Sequence, residues 1–165
     1  MYKRQAYDSS VMVIGVIRPN SQQVPNQYYT EHPDILNFGT YTGVPLYYQE
    51  NYEGFDFYFY DIYHPNYSKD KAYSYMNELE NTGYLFDFSY KDSDGMTMNV
   101  FTKGIQSVVI GATFIENHPF VMVMVPPPNT RSVSVYRSAV GHVQIAADEF
   151  QNEQVQLGRK YGSLF

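Results

Sequence analysis

The segment Phe55-Asp-Phe-Tyr-Phe-Tyr-Asp-Ile62 limits what this chain can fold into more than any other stretch. Side chains on a β-strand alternate between two faces, so Phe55, Phe57 and Phe59 share one face while Asp56, Tyr58 and Tyr60 share the other. The apolar Phe face is expected to meet a core. Leu46-Tyr-Tyr48 precedes this segment and Glu50-Asn-Tyr-Glu-Gly54 supplies a turn, so 46–62 reads as a β-hairpin.

A helix follows. Ser68 is a good N-cap, because its hydroxyl accepts a hydrogen bond from an orphan amide, and Asp70 complements the helix dipole. Ala72, Tyr75, Met76 and Leu79 share one face. Gly83 stands where a left-handed residue ends a helix, and Tyr84 is placed to cover Leu79. Period two then returns: Phe86 and Phe88 alternate with Asp87 and Ser89, Asp92-Ser-Asp-Gly95 turns into 96–102, and Lys103-Gly104 turns again. Residues 105–114 and 120–125 are apolar on both sides, the pattern of strands in mid-sheet or between two layers. Pro126-Pro-Pro128 stops the ladder, since proline lacks the amide donor.

These elements predict an α+β domain with one helix packed on a mainly antiparallel sheet of five or six strands, in the order β-β-α-β-β-β-β. A helix followed by a four-strand meander resembles the cystatin-type arrangement in element order alone. No Q-x-V-x-G inhibitor loop is present, so protease inhibition does not carry over. Three regions are expected: an irregular arm over 1–45 rich in Pro, Asn and Gly, with one candidate strand at Val11–Ile17; the α+β core at 46–128; and a C-terminal extension at 129–165. In the extension, Ser132–Tyr136 has strand character while Ala139, Val143, Ala146, Ala147 and Phe150 have partial helical spacing. Met1-Tyr-Lys-Arg-Gln5 resembles translated sequencing-adapter read-through, so Met1 is not expected to be the natural start.

With no cysteine, the chain has no thiolate nucleophile, redox pair, zinc ribbon or disulfide scaffold. A net charge of -6, with Arg131, Arg137, Arg159 and Lys160 dispersed, argues against nucleic-acid binding through phosphates. The longest apolar run, Phe120–Val125, is far too short for a membrane span. His32, His64 and His118 each precede a proline and His142 stands alone, so no metal-ligand spacing occurs and no metal or cofactor is expected. Counted as a calcium loop from Asp92, position 12 is Lys103 rather than a glutamate, which makes 92–95 a hairpin turn. G-x-S-x-G, S-x-x-K and both glycine-rich phosphate loops are absent.

What remains is tyrosine. Among 18 tyrosines, Tyr47, Tyr48, Tyr52, Tyr58, Tyr60, Tyr63 and Tyr67 crowd the hairpin and its flank. An open Tyr face would stack on sugar rings or anchor a protein partner. A covered one would be the second side of a core. The sequence therefore nominates a non-catalytic binding module of a bacterial secreted or cell-envelope protein. Its contact residues would be Tyr47, Tyr48, Tyr52, Asp56, Tyr58, Tyr60 and Tyr63, and its partner a protein or a glycan. Two rivals stand beside it: a small hydrolase using Asp56, Asp61 and His64, and a structural subunit that oligomerises through strands 105–114 and 119–125.

Overall fold

The computed structural model describes residues 27–144. The candidate strand at Val11–Ile17 and the spacing at Ala146, Ala147 and Phe150 lie outside the described residues. The chain forms two compact units divided between Tyr41 and Thr42. In the first, Tyr28 bridges to Leu36, the Phe38 amide donates to the Tyr29 hydroxyl (3.2 Å), and the short helix α1 (Phe38–Thr42) begins.

The second unit holds one sheet of six antiparallel strands, so the α+β class and its element order are as expected. The strands are β1 (Leu46–Tyr52), β2 (Phe55–Asp61), β3 (Leu85–Lys91), β4 (Thr97–Lys103), β5 (Gln106–Ile115) and β6 (His118–Val125), arranged β1-β2-β6-β5-β4-β3. Short loops impose the antiparallel neighbours. Glu53-Gly54 and Glu116-Asn117 both have positive φ at two central residues, the twist a two-residue hairpin needs. Between β2 and β3 the chain crosses three intervening strands through α2 (Lys69–Asn81). The crossing spans about 19 Å at the usual strand spacing, and 13 helical residues rise about 20 Å.

Both ends of α2 are built as the sequence implies. Ser68 is extended (φ -146, ψ 151) and its hydroxyl accepts from the Lys71 amide at 3.1 Å. At the other end the Gly83 amide reaches the Glu80 carbonyl and the Tyr84 amide reaches the Leu79 carbonyl, both at 3.0 Å, with Gly83 at φ 102. This is the paired Schellman ending, and Leu79 and Tyr84 are buried together.

The two faces of the sheet carry different chemistry. Phe55, Phe57, Phe59, Val100, Val109, Phe120, Met122 and Met124 form one core face. Gly111 lies in this layer because a Cβ there would stand 2.4 Å from Met98 Sδ and 2.7 Å from the Thr97 carbonyl oxygen. Covering the layer is a second long helix that the sequence leaves undecided, α3, whose described residues run 133–144. Tyr136, Ala139, Val140 and Val143, one helical stripe, enter the core. Ser132–Tyr136 is therefore not a strand. The Ser132 carbonyl instead accepts from the Tyr136 amide at 3.0 Å. Two anchors fix the approach: Arg131 pairs with Asp87, and Arg137 donates to the Lys91 carbonyl at 2.6 and 3.0 Å. No helix among the described residues is long and apolar enough to cross a membrane.

Strands 105–114 and 119–125 are β5 and β6, at the centre of the sheet. Their two-sided apolar pattern is spent inside the fold, since Val108, Val109, Ile110 and Phe120–Val125 are all buried. These buried side chains already have internal partners, and on 105–114 the exposed large apolar side chains are Ile105 and Phe114, at its two ends.

Candidate functional site

Tyr58 and Tyr60 are 2% and 1% exposed, so the contact surface expected on them does not exist. Their face of β2 is the α2 side of the sheet, where Tyr75 lies close enough to Tyr60 to feel its hydroxyl. Burial, and then Tyr60, pushes the Tyr75 phenol well above its ordinary value.

The other nominated residues separate into two groups. At the turn end of the hairpin, Asp56 accepts from Asn51 Nδ2 at 2.8 Å, and Tyr52 stacks on His142 of α3 with centroids 4.3 Å apart. Tyr48 is half-buried, 5.9 Å from Phe59, and its hydroxyl donates to Glu50. At the open end, Tyr47 and Tyr63 stay accessible. A register shift between Leu46 and Tyr48 turns Tyr47 onto the Phe face, where plain alternation would not put it, and its ring meets Phe120 at 4.9 Å.

Tyr47 begins a row of rings. Phe120 lies 4.8 Å from His118, and His118 lies 5.0 Å from Tyr63. The outer members, Tyr47 and Tyr63, are 42% and 70% exposed. Asp61 locks the middle of the row: its Oδ1 lies 2.7 Å from His118 Nε2 and also accepts from the Tyr63 amide at 2.8 Å. Sequence reasoning missed His118 and Phe120 because their place depends on β6 pairing with β2, with Phe120 opposite Asp61. The only available signal was His118 opening the strand that carries Phe120.

The hydrolase constellation does not assemble. Asp56 and Asp61 sit at opposite ends of β2, about 17 Å apart at the usual strand rise. Asp61 is engaged by His118, and His64 Nδ1 accepts from the Asn66 amide at 3.0 Å. Among the described residues no group of three or more His, Asp or Glu side chains is placed to hold a metal ion. The 92–95 segment is a turn: the Gly95 amide returns to the Asp92 carbonyl at 2.9 Å with Gly95 at φ 83.

Asp92 itself is buried, and its Oδ1 has no hydrogen-bond partner among the described residues. Burial raises its pKa; the Ser93 amide opposes the rise, Asp94 adds to it, and Arg137 opposes it. The folded state thus holds this proton more tightly than the unfolded chain. Stability from this group is fullest in acid and is lost as pH climbs from the ordinary carboxylate range through the raised value. Asp92→Asn, which cannot ionise, is expected to be more stable at neutral pH by on the order of 1 kcal/mol. Urea unfolding at several pH values checks this: the variant's curve should be flatter over that window, and identical profiles would refute the account.

No family model, curated protein or solved structure matches this chain.

Proposed function

We propose that this chain is a non-catalytic protein-interaction module whose contact surface is Tyr47, Tyr63 and the part-exposed His118, seated on the buried ring of Phe120. The row itself carries the reading: four rings at 4.8 to 5.0 Å spacings, ending in two accessible tyrosines. Tyrosine offers a large contact area with few rotatable bonds, which is why it dominates binding hot spots. Successive planes tilt by 46, 43 and 77°, so the surface is ridged. Ridges suit interdigitating side chains of a protein partner better than the flat face of a sugar. Asp61 holds His118 and the Tyr63 backbone, so much of the ordering is complete before a partner arrives.

A photo-cross-linking phenylalanine analogue at position 63, with position 74 on the exposed side of α2 as control, would identify the partner in the cells that make the protein. Against that partner, Tyr47→Ala with Tyr63→Ala is expected to weaken binding by about 100-fold. Stability should change by less than about 1 kcal/mol, because both rings are partly solvated. Cross-linking no stronger at 63 than at 74, or full affinity in the folded double variant, would overturn the proposal.

A further inference from the structure

The face of the sheet opposite α3 holds a groove along one flank of α2. Lys69, Ala72, Tyr73, Met76, Asn77 and Glu80 stand at i, i+3, i+4, i+7, i+8 and i+11, a single stripe down the helix. At the N-terminal end of the stripe the groove encloses about 520 Å³, with Thr97, Asn99, Ile110, Ala112 and Val121 opposite the helix. Met76 and Asn99 also line its continuation toward Asn77, Glu80, Phe86 and Phe101. From Lys69 to Glu80 the stripe is about 16 Å long at the helical rise.

Three properties define an occupant. First, the polar atoms of the sheet wall are already engaged: Asn99 Nδ2 donates to the Ile110 carbonyl at 3.2 Å, Asn99 Oδ1 accepts from Ser89 Oγ at 3.0 Å, and Thr97 Oγ1 accepts from Lys91 Nζ at 2.9 Å. A body seated over Ile110, Ala112 and Val121 must be apolar, because a polar one would lose water without gaining a partner. Second, donors gather at one end. Lys69 has no carboxylate partner among the described residues, and Tyr67 and Tyr73 line the same end. Burial, and then the neighbouring Tyr73, raises the Tyr67 pKa, which keeps that hydroxyl a donor. Third, the far end carries Glu80, which accepts from the Phe86 amide at 3.3 Å. Its charge repels an anion, so a head group would face Lys69.

We infer that this groove binds a linear aliphatic carboxylate, its chain along α2 and its head group held by Lys69 with Tyr67 and Tyr73. The site is on the other side of the sheet from the aromatic row and stands or falls independently of it. Decanoate is the probe, titrated into the full chain by calorimetry and by amide NMR, with decanol as the uncharged control. Decanoate should shift Ala72, Met76, Ile110 and Ala112 resonances and bind about tenfold tighter than decanol. Lys69→Met, which keeps the aliphatic stem, should remove that tenfold advantage, and Tyr73→Phe about threefold of it. Both side chains are exposed, so an unchanged amide spectrum away from the groove checks the fold. Equal decanoate affinity in wild type and Lys69→Met would overturn the inference. So would shifts confined to residues outside the groove, or no binding at about 1 mM.

Discussion

Tyr58→Ala combined with Tyr60→Ala is expected to abolish cooperative folding, although on sequence grounds these two rings were the first choice for a contact surface. Both are almost wholly enclosed, and truncating a buried aromatic to alanine costs about 3–5 kcal/mol. The two sites are neighbours on one strand, so their losses are not strictly additive. Their sum still approaches the whole 5–15 kcal/mol or so by which native domains are stable. Circular dichroism and thermal unfolding are the measurements. Tyr58→Phe with Tyr60→Phe keeps the packing and should lose only about 1 kcal/mol per hydroxyl. A cooperative alanine double variant with a wild-type midpoint would mean that the face is open after all.

Tyr136→Ala is expected to cost about 3–5 kcal/mol and to loosen α3 from the Phe face. Tyr136 is fully buried, its ring lies 6.0 Å from Tyr90, and its hydroxyl donates to the Thr130 carbonyl at 2.5 Å. Tyr136→Phe removes only the hydrogen bond and should cost about 1 kcal/mol. Chemical denaturation gives the energies. Hydrogen exchange locates the damage: amides of residues 133–144 should lose protection first, because the strands beneath retain their ladder. A Tyr136→Ala protein within about 1 kcal/mol of wild type would show that the helix is held elsewhere.

The elements legible in the sequence are those whose physics is local. Alternation at Phe55–Asp61, the Ser68 cap, the Gly83 stop and the proline block after Val125 each depend on neighbours a few residues away, and each appears where expected. Helix α3 was harder, because Val133, Val135, Val140 and Val143 suit strands as well as helices, and only docking on the Phe face decides between them. The aromatic row was illegible for another reason. It joins Tyr47 to Phe120 and His118 to Tyr63, residues far apart in the chain that meet only through the β2–β6 register.

Two kinds of question are thus separated by range. Which residues share a face of a strand, and where a helix starts and stops, follow from backbone geometry and capping, so the amino-acid order alone determined them. Whether a face is wet or dry is not a property of the strand that bears it. Tyr58 and Tyr60 would be amphipathic contact residues on an isolated hairpin, and burial on the α2 side of the sheet makes them core. Tyr47 and Tyr63 have the same chemistry and stay accessible at the open end of the hairpin. Burial depends on what packs across the sheet, and only the tertiary structure decided that.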